Sequence, residues 1–436
     1  MSAEDTTGCR ARAVRENAGL ALTGDIASKA AAFAIVAACA RLLPIEEFAH
    51  LGIALAALTV FTSLVDGGFA TLIVRDGARR STESMALLRT SMRVRMPLAA
   101  LVLVAGVSGG IYIGDTWLGL MTAVAAVGSA MSLTLAAVFR SAQDLAPEAI
   151  QKCTVAAATF VGATVGAAAF SRASVVVGLV GSVTWLSLVP LWIYARRHIP
   201  DRQGRVVGRG GIRAAAPFGL MALGTLLYYR LGILVLGAVG SPSAIARYTI
   251  ASTIAFGLLM VPNAITTGLL PRLSSGDLGR DRLETARRAL RWTMFSCVLV
   301  SIVAAGFAPW ALKYGFGSRY ESALRPLVLL LTGTVVIGIN GILGTVLIAL
   351  RRTSVVGVQV GVSLAVNVAF AFVLVPRFGA NGAAIATLAT ELVGLGILAA
   401  AAHRLVPGLL RPGAVAVRGD QRRAAAVGDL RQEPGL

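Results

Sequence analysis

Five charged side chains interrupt stretches of sequence that are otherwise long and apolar, and these side chains are the strongest candidates for chemistry. Asp25 and Lys29 lie four residues apart in the first stretch, and Asp66 lies near the end of the second. Arg230 and Glu391 lie within two later stretches. A charge inside a membrane-spanning segment costs roughly 2.5–3.5 kcal/mol on insertion scales, so each needs a partner, a cavity or an interface. Each is therefore a candidate for binding a charged substrate or an ion.

The basic candidates suit a phosphate group. A guanidinium such as Arg230 binds phosphate oxygens through a planar fork, and Tyr229 beside it could contact the same substrate. Alternatively, Arg230 extends to the outer interface, with Tyr228 and Tyr229 as interfacial aromatics. Asp25 and Lys29, one helical turn apart, either contact substrate in a cavity or form a self-satisfied ion pair near the cytosolic surface.

The acidic candidates suit ion coupling. Asp66 precedes Gly67 and Gly68, and it could bind a proton or sodium, or it could cap or brace a helix. Glu391 lies near the middle of the last apolar stretch, as either a coupling site or a protonated, hydrogen-bonded structural residue. The residue types leave both alternatives open.

The elements that carry these residues are predicted to be membrane-spanning helices. Of the 436 residues, 56% are hydrophobic and only 14% are charged, too few charges for a soluble surface. Apolar runs long enough to cross about 30 Å of hydrocarbon recur along the chain and give about twelve spans. We predict them at 20–43, 49–74, 96–114, 116–138, 150–171, 173–195, 214–239, 246–271, 290–312, 324–349, 354–375 and 380–403.

The distribution of basic residues predicts the orientation. With the N-terminus inside, 31 of the 40 lysines and arginines fall in cytosolic segments and 7 in outer loops. This positive-inside bias places both termini in the cytosol. Arg75 and Arg272 close the second span of each half, as interface anchors or as binding sites for anionic headgroups.

The chain divides into two similar halves. Residues 196–213 form the most polar internal stretch, with six spans before it and six after it, so both halves enter the membrane in the same direction. A weak internal repeat supports duplication: residues 50–54 align with residues 247–251 at an offset of 197, which also aligns Arg75 with Arg272. We predict a cytosolic tail at 1–19, six-helix bundles at 20–195 and 214–403, a basic cytosolic linker at 196–213 and a basic, disordered cytosolic tail at 404–436.

Several classes of function are disfavoured. The net charge of +19 lies between apolar runs, where anionic lipid explains it better than nucleic acid does. No GxxxxGK[ST] loop is present, and the loops between spans are too short for a nucleotide-binding or catalytic domain. The cysteines and histidines are scattered, without the spacing of a metal site or a disulfide framework. We expect no enzyme activity, no cofactor and no metal.

Four stretches resemble the polysaccharide exporters of the MOP flippase superfamily, which also contains lipid II flippases and multidrug extruders. They are ARLLPIEEF at 40–48 with DGGF at 66–69, the span end and loop at 234–248 followed by Pro262 and Pro271, FGSRYESA at 316–323, and VPRFGANGAAIAT at 375–387. The last is the most specific, and the resemblance covers residues 15–403. It implies an all-α MATE-like fold of two six-helix bundles around a central cavity.

The resemblance implies a transporter that flips a lipid-linked oligosaccharide across the cytoplasmic membrane of a bacterium by alternating access. It also implies anionic lipids and envelope polymerases or glycosyltransferases as partners. Many relatives carry an acidic residue in the seventh span, where this chain has Tyr228-Tyr229-Arg230, so ion coupling at that position does not carry over. The alternatives are a proton- or sodium-coupled multidrug extruder and a non-transporting scaffold for polysaccharide assembly.

Overall fold

The computed structural model is almost entirely helical. It describes residues 3–77, 84–142, 144–198, 209–274, 280–350, 352–406 and 409, and it contains no strand among them. The central part of the predicted linker and nearly all of the predicted C-terminal tail lie outside these residues.

The described residues of the N-terminal half form seven helices. Asp115 begins the fifth by accepting a hydrogen bond from the Leu118 N–H, and Pro147 lies in the first turn of the sixth, where its missing N–H is not needed. Helical structure begins at Ala3, well before the predicted first span. The helices are α1 (Ala3–Leu42), α2 (Ile45–Asp66), α3 (Phe69–Gly77), α4 (Ser84–Ile113), α5 (Thr116–Ser141), α6 (Ala146–Phe170) and α7 (Ala173–His198).

In the C-terminal half, the part of the chain that the structure describes forms six further α-helices. A π-helical turn, Ala311–Phe316, and a 3₁₀ turn, Ser318–Ala323, connect two of them. The helices are α8 (Arg209–Val239), α9 (Pro242–Gly257), α10 (Met260–Ser274), α11 (Arg280–Trp310), α12 (Leu324–Ala349) and α13 (Thr353–Leu405).

The second span of each half is broken into two helices. α2 gives way to α3 at Gly67 and Gly68, whose φ angles of 57° and 82° are accessible to glycine at little cost. In the C-terminal half, α9 ends at Gly257 and α10 begins at Met260. Pro262, which we expected to kink this span, lies in the first turn of α10.

α4 begins earlier than the predicted span at 96–114. Its first residue is Ser84, so Pro97 lies inside the helix. Residues 84–95 therefore belong to the same helix as the span, although residues 78–83 lie outside the described part. Arg95, which precedes the predicted span, is fully buried.

The number of membrane crossings agrees with the prediction. Ten of the described helical segments are long and apolar enough to cross a membrane. The last of them, α13, has 53 residues and would be about 80 Å long if straight, but it breaks at Gly379 (φ 56°, ψ −129°) and supplies two crossings. α1, which carries Asp25 and Lys29, is not among the ten and corresponds to the predicted first span. The all-α membrane fold is confirmed.

The two halves meet along α2. This helix packs against α8 and α9 of the C-terminal half, whereas α1 packs mainly on α6 and α12 mainly on α13. Gly52 of α2 touches Thr249 of α9 so closely that a Cβ atom at Gly52 would lie 2.2 Å from the Thr249 hydroxyl oxygen. Gly52 and Thr249 occupy equivalent positions of the internal repeat. Equivalent positions of two copies meet near the axis that relates them, and the duplication itself stays a prediction.

Candidate functional site

A cavity of about 580 Å³ lies between the two halves, and we call it the central cavity. Its walls come mainly from α1, α2, α6 and α7 on one side and from α8 and α9 on the other. The predicted substrate residues Lys29 and Arg230 both line it, one from each half. Most of the remaining wall is aliphatic, with hydroxyl groups from Thr59, Thr159, Ser252 and Thr253. The cavity therefore combines apolar walls with two basic groups.

Both basic groups lack an acidic partner among the described residues. No carboxylate in that part of the chain forms an ion pair with Lys29 or Arg230. The Arg230 guanidinium carbon lies 6.0 Å from the ring centroid of Phe256, which also lines the cavity. This placement favours the cavity interpretation of Arg230 over the interfacial one.

Tyr229 packs against the ring of Phe256, which lines the central cavity. Its ring centroid lies 4.3 Å from that of Tyr228 and 5.5 Å from that of Phe256. Tyr229 does not line the central cavity, so a direct contact with substrate remains a prediction.

Asp25 does not form the expected ion pair with Lys29, and it does not line the central cavity. Its carboxylate instead accepts a hydrogen bond from the Lys152 ammonium at 2.7 Å. Lys152 packs against Gly24 of α1 and also pairs with Glu148 at 2.8 Å. Because Lys152 comes from α6, the pair joins α1 to α6 and leaves Lys29 facing the cavity.

The same network extends to α5. Arg140 donates two hydrogen bonds to Glu148, at 2.9 Å from Nε and 2.5 Å from a terminal nitrogen. Glu148 is buried, and it is bound by both Arg140 and Lys152. These four charges satisfy one another, which is the condition for keeping them within a membrane bundle.

Asp66 forms a second buried ion pair at the break between α2 and α3. Its Oδ1 accepts a hydrogen bond from Arg95 at 2.6 Å and one from the Ala70 N–H at 3.2 Å. Its Oδ2 accepts from the Gly68 N–H at 3.1 Å. Arg95 also donates to the Thr134 hydroxyl. Asp66 thus caps α3 and neutralises Arg95, which matches the bracing alternative, and ion coupling at Asp66 stays a prediction.

Glu391 lies inside the C-terminal half, away from the central cavity. It is 2% exposed and accepts a hydrogen bond from the Asn340 side chain at 2.9 Å. The phenol groups of Tyr228 and Tyr229 also approach its carboxyl group. Among the described residues no basic side chain pairs with it, so its ion-coupling role is also untested.

The two span-closing arginines differ in what the structure shows. The Arg75 guanidinium lies 5.3 Å from the ring centroid of Phe218 on α8, and it lines a second cavity next to α2 and α3. Arg272 belongs to α10, but its side chain lies outside the described residues. Binding of anionic headgroups by either residue remains a prediction.

Two arginines from opposite halves close the predicted outer end, and we call Arg41 and Arg319 the outer latch. Arg41, at the end of α1, donates to the carbonyl oxygen of Gly315 at 2.9 Å and also to that of Tyr314. Arg319 donates to the carbonyl oxygen of Leu43 at 3.0 Å and also to that of Ala40. Each half thus offers an arginine to the backbone of the other.

Aromatic contacts lie beside the outer latch. The rings of Phe48 and Tyr320 are 5.6 Å apart, and those of Phe33 and Phe316 are 5.4 Å apart. Each pair joins the two halves. Two of the stretches used to recognise the superfamily, 40–48 and 316–323, therefore meet at this closure.

The fold and the central cavity define an all-α, multi-pass membrane protein. A family model described as "Polysaccharide biosynthesis protein" matches residues 14–276, more than half of the chain. The chain therefore belongs to the polysaccharide biosynthesis protein family, within the MOP flippase superfamily. A comparison with curated proteins found no match.

Solved structures share the fold at low sequence identity. A lipid II flippase MurJ in an inward closed conformation is 12% identical with a TM-score of 0.72, over 88% of this chain and 87% of that one. An inward-facing multidrug resistance MATE transporter is 14% identical with a TM-score of 0.64, over 88% and 94%. A MOP superfamily transporter from Pyrococcus furiosus, described as having a binding pocket of reversed polarity, is 14% identical with a TM-score of 0.56, over 92% and 96%. The neighbours are transporters and flippases, not enzymes.

The sequence interpretation missed four residues of this site. Arg95 and Lys152 were assigned to cytosolic segments, and Arg41 and Arg319 to outer loops. The positions of Asp66 and Asp25 within predicted spans could have indicated that basic partners exist, because a carboxylate in the membrane requires a hydrogen-bond donor. Which donor satisfies each carboxylate depends on helix packing.

Proposed function

We propose that this protein moves a lipid-linked saccharide from the inner to the outer leaflet of the cytoplasmic membrane. The observation that carries the proposal is the central cavity, where Lys29 and Arg230 face a shared space from opposite halves. A phosphate or pyrophosphate between lipid and sugar is the group that two such cations recognise best. The fold shared with MurJ, a lipid II flippase, supports the same class of substrate.

The geometry suits alternating access. The phosphate and the sugars would enter the central cavity while the lipid tail stays in the bilayer. The outer latch holds the opposite end closed in this state, so release outward requires Arg41 and Arg319 to leave their carbonyl partners. A relative movement of the two halves would then expose the cavity to the outer face.

The test is export in a strain that lacks the gene. Loss of the protein should lead to lipid-linked saccharide accumulating in the inner leaflet, and wild-type protein should restore export. Arg230→Ala and Lys29→Ala should each reduce export about tenfold or more, because each removes a charged contact to phosphate worth about 1.5–3 kcal/mol. Arg230→Lys should retain part of the activity, since it keeps the charge and loses the fork.

Arg247→Ala is the matched control. Arg247 also lies in the C-terminal half, but its Nε donates to the carbonyl of Ser243 within α9, outside the central cavity. This variant should export normally. Normal export by both Arg230→Ala and Lys29→Ala, with intact membrane insertion, would remove the cationic cavity from the mechanism.

Two alternatives predict different cavities. A multidrug extruder is supported by the MATE-like fold, but among the described residues no acidic side chain lines the central cavity to attract a cationic drug. A non-transporting scaffold would tolerate a sealed core, whereas about 580 Å³ lies open between these halves. Drug resistance of a host expressing the protein, without any saccharide phenotype, would favour the extruder.

The proposal includes ion coupling only at Glu391. Glu391 is the better of the two acidic candidates for binding a coupling ion, since Asp66 is already neutralised by Arg95. The proposal also includes partners from envelope polysaccharide assembly and binding of anionic lipids at Arg75 and Arg272. It places the N- and C-termini in the cytosol.

A further inference from the structure

A second cavity of about 490 Å³ lies beside the central cavity, and we call it the side chamber. It is enclosed by α2, α3 and α5 of the N-terminal half and by α8 of the C-terminal half. Thr59 lines both cavities, so they adjoin at this residue. A substrate held at Lys29 and Arg230 could therefore reach into the side chamber.

The α2 wall of the side chamber is polar although α2 is apolar enough to cross a membrane. Thr59, Thr62, Ser63 and Asp66 follow the spacing i, i+3, i+4 and i+7, which places them on one helix face. All four line the side chamber. The stripe therefore presents hydroxyl and carboxylate oxygens to the side chamber.

The polar groups on this wall are mainly acceptors. Thr59 donates its hydroxyl hydrogen to the carbonyl oxygen of Ala56 at 2.7 Å, and Thr62 donates to that of Leu58 at 2.7 Å. A hydroxyl has one hydrogen and two lone pairs, so both oxygens keep the capacity to accept. Oδ2 of Asp66 accepts only from the Gly68 N–H and keeps capacity as well.

The rest of the side chamber completes an amphiphilic site. Ala222 and Leu226 of α8 supply an apolar wall, and Arg75 and Arg140 also line the chamber. Hydroxyl donors on the edge of a sugar ring match the acceptors of α2, while the C–H face of the ring matches the apolar wall. The two arginines at the chamber and Arg95 on Asp66 make it unfavourable for a metal cation.

We propose that the side chamber binds the sugar portion of the substrate while Lys29 and Arg230 hold the phosphate, an inference that rests on the proposed function. The substrate would then occupy two adjoining sites of different chemistry. The phosphate site would serve any polyprenyl-linked saccharide, and the side chamber would select among sugars.

The test removes hydroxyl groups without changing shape. Thr59→Val, Thr62→Val and Ser63→Ala, combined in one protein, should reduce saccharide export in the deletion strain about tenfold. Thr62→Ser should export almost normally, because it keeps the hydroxyl. Thr332→Val is the matched control, since Thr332 also donates to a carbonyl one turn earlier, that of Val328, but lies on an exposed face of α12.

A binding measurement separates a sugar site from a structural role. Purified wild type and the double variant Thr62→Val with Ser63→Ala should bind a polyprenyl phosphate that carries no sugar equally well, because neither residue lines the central cavity that holds Lys29 and Arg230. Loss of this binding in the double variant would overturn the proposal, and so would normal export by the triple variant. Recovery of export by added sodium would also overturn it, by assigning the acceptors to an ion. Failure of the wild-type protein to restore export would instead reject the proposed function.

Discussion

At the scale of single residues, ion pairing distinguishes structural charges from those available to a ligand. Asp66 and Arg95 neutralise each other, and Asp25, Lys152, Glu148 and Arg140 form a closed network. Lys29 and Arg230 are the described basic residues that line the central cavity. The membrane enforces this distinction, because a charge without a partner costs free energy in the hydrocarbon region.

The ion pair of Asp66 with Arg95 leads to a prediction about stability. Asp66→Asn should lower the melting temperature of the detergent-solubilised protein, because breaking a buried pair costs about 3–5 kcal/mol. The sodium and pH dependence of any remaining transport should stay unchanged. Arg95→Ala should be similarly unstable, and Asp66→Asn combined with Arg95→Gln should recover part of the loss.

Glu284→Gln is a suitable control for this series, because Glu284 pairs with Arg288 at 3.6 Å on an exposed helix surface. Its melting temperature should be nearly unchanged, as expected for a surface pair. An Asp66→Asn protein of normal stability with altered sodium or pH dependence would instead identify Asp66 as a coupling residue.

At the scale of structural elements, the loops that identify the superfamily also close the molecule. The turn after α1 and the 3₁₀ turn before α12 lie in different halves, about 270 residues apart in sequence, and the outer latch joins them. The break between α2 and α3 and the break between α9 and α10 lie in corresponding spans. These breaks are the natural positions for bending during alternating access.

The outer latch leads to a prediction about conformational equilibrium. Hydrogen bonds from a charged donor contribute about 1.5–3 kcal/mol each, so Arg41→Ala combined with Arg319→Ala should increase the outward-open population severalfold or more. Thr253→Cys, on the wall of the central cavity, reports this in a protein whose four native cysteines are replaced. A membrane-impermeant thiol reagent added from outside should label the latch variant faster.

The same reporter in an Arg247→Ala background should label at the rate of the unmodified protein. An unchanged labelling rate in the latch variant, with normal expression, would show that these arginines do not hold the outer end closed.

At the scale of the whole molecule, two half-chains with the same insertion direction enclose the cavities. The contact of Gly52 with Thr249 supports an axis between repeated halves, and six crossings per half return the chain to its starting side. An even number of crossings therefore requires both termini to lie on one side.

This topology leads to a prediction about reporter fusions. A fluorescent protein that folds only in the cytosol should be active at both the N-terminus and the C-terminus, because 31 of the 40 basic residues fall on that side. Alkaline phosphatase, which is active only outside, should be active when fused after Gly114 or Gly317. Phosphatase activity at either terminus would contradict the topology.

Several features were predictable from the sequence for a physical reason. Hydrocarbon requires helices of a certain length, and basic residues collect on one side of the membrane, so the fold class and the twelve crossings follow from composition and order. Lys29 and Arg230, the predicted substrate residues, line the central cavity, and their binding of substrate stays a prediction. Helix boundaries were harder, since Gly67 and Gly68 break a continuous apolar run and α4 begins before its apolar part.

The amino-acid sequence alone determined that this is a helical membrane protein with charges that need partners, because those requirements are local to each span. Only the tertiary structure decided which partners they have: Arg95 for Asp66, Lys152 for Asp25, and backbone carbonyls of the opposite half for Arg41 and Arg319. Such pairings depend on helix rotation and on contacts between residues far apart in the chain. Hydrophobic periodicity specifies neither.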